Sequence, residues 1–165
     1  MRLPDDAPFE EILARRLDRA RRVALVGVGD ELLPADRLGV LAARAVGRLR
    51  LPNLGVFEAG PVPEAFTAPI RRYEPDHVLL VDAADMGSPP GTLAVIGASE
   101  IQATRLSTHA LPLSVVMAYL EQTTGAPATL VGIQPALPPE RDDLAPQEAA
   151  AIARLTTALQ RLLLQ

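Results

Sequence analysis

The chain has 165 residues, a formal net charge of −4, 48% apolar and 3% aromatic residues, and neither cysteine nor tryptophan. That length suits a single domain spanning 1–165, which can bury roughly 70% of its unfolded surface without a disulfide or a structural metal. The acidic balance argues against a nucleic-acid partner, and because every basic residue is arginine, no P-loop or Schiff-base lysine is available.

The first stretch carries Asp5, Asp6, Glu10 and Glu11 where a secretory signal would be apolar. No apolar run approaches the ~18 residues that suggest a membrane span. The expectation is a cytoplasmic, non-inserting protein, and its small acidic build points to a monomer. A helix is predicted from Pro8 to Ala20, with Phe9, Ile12, Leu13 and Leu17 on one face and Glu11–Arg15 as an outer i,i+4 pair. Val23–Gly29 is a continuous apolar run ending in glycine, the pattern of a strand buried on both faces.

A second helix is expected from Asp36 to Arg50, with Leu38, Leu41, Ala42, Ala45 and Leu49 inward. Leu54–Phe57 reads as a short strand, Pro63–Arg72 as a helix, and His77–Ala83 as the strongest strand. Gly87–Gly91 is turn-rich, and Thr92–Ile96 is a further strand. Leu113–Gln122 is helical, Ala128–Ile133 is a fifth strand, and Pro146–Leu164 is a final helix with Ile152, Leu155, Leu159 and Leu162 inward. Strands alternating with helices define an α/β fold with a mostly parallel sheet covered on both faces. Ligands of such folds bind beyond the carboxyl ends of the strands.

Three chemically capable groups fall at element ends: Asp36, Asp82 and His109. Two carboxylates and an imidazole can hold a borderline divalent metal. Each also has a plainer reading. Asp36 opens a helix and can cap it, which contributes about 1 kcal/mol. Asp82 directly follows Leu79-Leu80-Val81, so its carboxylate lies at or near the core and needs a partner, a cap or a cation. His109 can be a hydrogen-bonded loop residue. Asp85 reads as a turn residue and His77 as structural. Gly27-Val28-Gly29 begins like a dinucleotide fingerprint, but the third glycine would fall at Leu32, so the match fails. No G-x-S-x-G elbow, H-E-x-x-H helix or cysteine nucleophile is present.

Five blocks, in order, resemble the hydrogenase maturation endopeptidases, which trim the C-terminus of [NiFe] hydrogenase large subunits. They are Gly27-Val28-Gly29 with Leu32-Leu33 and Gly39; Gly60 with Pro63-Glu64; Val81 to Gly87 with Pro90-Gly91; Ser107 to Leu113; and Gly132 to Pro135. The last three are most similar to the branch serving the formate-hydrogenlyase hydrogenase, hydrogenase 3. The resemblance implies a three-layer α/β/α sandwich with a twisted five-stranded sheet. It implies that Asp36, Asp82 and His109 contact the nickel already inserted in the precursor, a site that cadmium or another divalent metal can also occupy. Asp36 or Asp82 is the implied catalytic carboxylate, and Gly60 and Asp85 are assigned to substrate binding.

The chain departs from the family pattern at Asp30, usually Asn, at Ala35 and Arg37, where a second acid and a glycine usually flank the first ligand, and at Ala59, usually Gly. Arg37 beside Asp36 can neutralise it by ion pairing. These changes keep open an alternative: a non-catalytic member that docks a metalloprotein precursor as a maturation or chaperone-like module.

Overall fold

The computed structural model describes residues 8–97, 100–101, 104–106, 111–139 and 143–165. The helices are α1 (Phe9–Arg16), α2 (Leu38–Gly47), α3 (Thr67–Tyr73), α4 (Leu113–Thr124) and α5 (Pro146–Leu163). The strands are β1 (Val23–Val28), β2 (Leu54–Gly60), β3 (His77–Asp85), β4 (Leu93–Ile96), β5 (Arg105–Leu106) and β6 (Ala128–Ile133). A 3-10 turn, Pro63–Phe66, precedes α3. The sheet runs in the order β2-β1-β3-β6-β4. Its first four strands are parallel, and β4 is antiparallel to β6.

Strand alternation divides the core into two faces. Leu25, Leu79, Val81, Val131 and Ile133 pack with α1, α2 and α5, while Ala24, Val26, Val78, Leu80 and Leu130 pack with α3 and α4. This is the expected three-layer α/β/α arrangement, with five strands in the main sheet. Among the described residues, no helix is long and apolar enough to cross a membrane.

The structure adds and adjusts several elements. The two-residue β5 was not anticipated; it pairs antiparallel with Ala84 and Asp85 and so lengthens β3 past its expected end. β2 runs on to Gly60. The expected helix over 63–72 is split, and α3 begins at Thr67. Pro69 then falls in the first helical turn, where the missing N–H has no partner to lose. α1 ends at Arg16, and Arg19 has a positive φ of 67°. α2 buries Ala43 and Val46 rather than Ala45 and Leu49. A Cβ on Gly27 would fall 2.6 Å from the Ala43 Cβ, so the glycine draws that side of α2 onto β1.

Candidate active site

Two glycines set where the first helix of the site begins. A Cβ on Gly39 would stand 2.2 Å from the Val81 carbonyl oxygen and 2.3 Å from that of Val28. Only glycine lets α2 start this close to β1 and β3. The turn that feeds α2 is therefore held over the carboxyl end of β3. The helix cap itself is Arg37, with no side-chain capping bond, so Asp36 sits one residue outside the expected start and does not cap it.

Asp82 lies within β3, in register with Gly132 of β6, and is completely buried. By alternation it shares the α3/α4 face with Val78, Leu80 and Ala84. Gly29, with φ of +116°, brings the two aspartates together. A Cβ built on it would fall 2.0 Å from the Asp36 carbonyl oxygen and 3.3 Å from Asp82 Oδ1. The Gly29 N–H donates to the Gly60 carbonyl at 2.9 Å, and Gly60 itself has φ of +68°. Thus three chain segments converge at one point: the end of β1, the end of β2 and the last third of β3.

The loop between β1 and α2 is anchored from outside. Arg44 donates 2.9 Å bonds to Glu31 and to Glu58, which hold its guanidinium above the usual arginine range. Asp85 ends β3, and its Oδ1 accepts from the Gly87 N–H at 3.2 Å and from Gln134 Nε2 at 3.3 Å. It is therefore the turn residue it reads as in the sequence. It also lines a cleft of about 380 Å³ with Ser88, Ile96, Glu100 and Thr104. Gln134, quoted in the sequence only as part of a matching block, is buried. Its Oε1 also accepts the Met86 N–H at 2.6 Å.

His109 and the rest of the 107–110 segment lie outside the described residues. The helix that follows them, α4, starts at the same end of the sheet. Among the described residues no three acidic, histidine or cysteine side chains are grouped closely enough to hold a metal, so a three-ligand site has to draw on that segment. His77 is at the opposite end of β3. It is buried and hydrogen-bonds Thr129 Oγ1 at 2.9 Å, and burial lowers its pKa. Its structural role stands.

The arrangement is a sandwich with acids clustered at the carboxyl ends of parallel strands, and it coincides with a known class. The profile described as hydrogenase maturation protease matches residues 41–161. The Escherichia coli K12 hydrogenase 3 maturation protease is 32% identical over 67% of this chain and 71% of its own length. A Methanocaldococcus jannaschii protein whose name places it provisionally in the same family is 31% identical over 77% of this chain and 80% of its own length. The crystal structure of the [NiFe] hydrogenase maturation protease HycI from Thermococcus kodakarensis superposes with a TM-score of 0.82 at 26% identity, covering 93% of this chain and 99% of that one. The chain belongs to the hydrogenase maturation protease family, a family of endopeptidase hydrolases.

Proposed function

We propose that this chain removes the C-terminal extension of a [NiFe] hydrogenase large-subunit precursor after nickel insertion. The observation that carries the reading is the meeting of Asp36 and buried Asp82 at Gly29, in a protease-family fold that has no cysteine. The substrate's nickel is gripped by Asp36, Asp82 and His109, a donor set suited to a borderline divalent ion. The bound metal fixes the scissile peptide and polarises its carbonyl or an attacking water. Asp36 or Asp82 takes up the proton. Gly60 and Asp85 line the path of the peptide. Cleavage then requires prior nickel insertion, which makes the reaction a check on the precursor.

The protein acts as a cytoplasmic monomer built as one domain over 1–165. The test is incubation with nickel-loaded and nickel-free precursor. Shortening of the loaded form alone is the expected result; shortening of both, or of neither, refutes the reading. Calorimetric titration with Ni²⁺ and Cd²⁺ adds a check on the three ligands.

A second reading rests on Arg37, which stands where the family usually has glycine. It is a non-catalytic member that docks the precursor. Stable binding of the loaded precursor without cleavage would favour it.

A further inference from the structure

The described carboxylates differ in how they are satisfied. Glu148 is buried, and both of its oxygens accept backbone N–H groups, from Ala145 at 2.8 Å and from Ala136 at 3.1 Å. Asp76 likewise accepts the Arg21 and Arg22 N–H groups at 2.8 and 2.9 Å. Where this fold uses an acid as a structural brace, it supplies donors. Glu64 breaks that pattern. Its Oε2 is buried and receives no hydrogen bond from the protein. Leaving such an oxygen without a donor costs about 1–3 kcal/mol.

The position of Glu64 is well fixed. Pro63 beside it is buried, the Ala65 N–H donates to the Val62 carbonyl at 3.1 Å, and Thr67 Oγ1 donates to the Glu64 carbonyl at 3.2 Å. The 63–66 turn follows Gly60, whose carbonyl holds Gly29 between Asp36 and Asp82. It leads into α3, which covers the same face of the sheet that Asp82 occupies. Glu64 thus stands at the mouth of the site, on the layer from which Asp82 is reached.

The charges around it specify the missing donor. Asp30, Asp82 and Asp85 surround this end of the sheet, and Arg44 is committed to Glu31 and Glu58. An acidic mouth with an unsatisfied buried carboxylate oxygen matches a cation. A guanidinium or ammonium would form a charge-assisted hydrogen bond there. We propose that Glu64 is a specificity-determining residue that receives a basic side chain of the substrate close to the scissile peptide.

This inference rests on the proposed protease function, and its test separates the two. The experiment is cleavage of the nickel-loaded precursor, and of versions in which each basic residue within four positions of the cut is replaced by glutamine, by wild type and Glu64→Gln. One replacement should raise the wild-type KM about tenfold with little change in kcat, the effect of losing one charge-assisted bond. Glu64→Gln should show the same tenfold rise on the unaltered precursor and no further rise on that replaced one. Its melting temperature should equal or exceed wild type. Glu64→Lys should recover part of the loss when the same precursor position carries glutamate.

A wild-type KM in Glu64→Gln, or equal losses on every precursor version, would overturn the assignment, as would a cleaved precursor with no basic residue in that span. Failure of the wild type to cleave would remove the protease function and this inference with it.

Discussion

The two ends of the sheet are built on opposite terms. At the amino end of the parallel strands the polar groups are paired off. Asp76 accepts two backbone N–H groups, the Arg22 guanidinium donates to the Tyr73 carbonyl and lies over its ring, and His77 meets Thr129 in the core. At the carboxyl end an aspartate is buried inside a strand, a glutamate oxygen lacks a donor, and glycines hold backbone at contact distances closed to other residues. Exposed large apolar side chains divide the same way. Leu32, Leu33, Val62, Leu111, Val115 and Leu137 rim the carboxyl end, against Leu164 alone at the other. The amino end is made to hold the fold. The carboxyl end carries features that lower stability and suit contact with a partner, the trade expected where function and folding compete.

The contrast can be broken by substitution. The largest effect is expected for Asp82→Asn and for His109→Ala, which should lower precursor cleavage by about 10² to 10⁴, with circular dichroism confirming a folded chain. Near-normal rates in either would remove it from the site. Gly39→Ala forces a Cβ against two carbonyl oxygens. It should cost about 3 kcal/mol in urea unfolding and lower cleavage through the displaced Asp36 turn; an unchanged midpoint would show that α2 can lift off without loss. Asp76→Ala, at the opposite end, strands two backbone donors. It should cost about 1–2 kcal/mol yet leave kcat/KM unaltered. A fall in activity beyond the unfolded fraction would erase the division between the ends.

His77 sharpens the comparison through pH. Burial depresses its folded-state pKa below 6.5, against a smaller opposing pull from Asp76. The native state therefore binds fewer protons than the unfolded chain below that value. Its contribution is intact above pH 6.5, declines as the pH falls through that value toward the depressed one, and levels off beneath it. Urea midpoints of wild type and His77→Gln, measured from pH 7.5 to 5, should diverge in that direction, with wild type showing the steeper loss. The smallest effect is expected for Leu32→Ser. Leu32 is 84% exposed, so stability should stay within about 0.5 kcal/mol while KM for the precursor rises a few-fold.

What the sequence made legible follows from periodicity and from a few residues. The apolar runs of β1, β3 and β6 identify buried parallel strands, and Asp82 stands out because a carboxylate directly follows such a run. The edge elements were harder to read. β5 is two residues long and exists only through its pairing with the end of β3, so no local pattern encodes it. Asp36 reads as a helix cap until Gly39 is seen pressed on Val81 and Val28. Glu64 was visible only as part of a matched Pro-Glu pair; its distinction lies in donors that are absent, and sequence spacing carries no record of those.

β3 supplies one further consequence. Asp82 is a strand residue held in register on the β6 side, whereas Asp36 belongs to a turn. The aspartate in the sheet is a stationary reference, with its main chain protected from hydrogen exchange except through global opening. Any adjustment to an incoming substrate has to come from the turn. Exchange at 34–37 should therefore slow on substrate engagement while exchange at 80–83 stays the same, so that catalysis here resembles a hand closing on a fixed post.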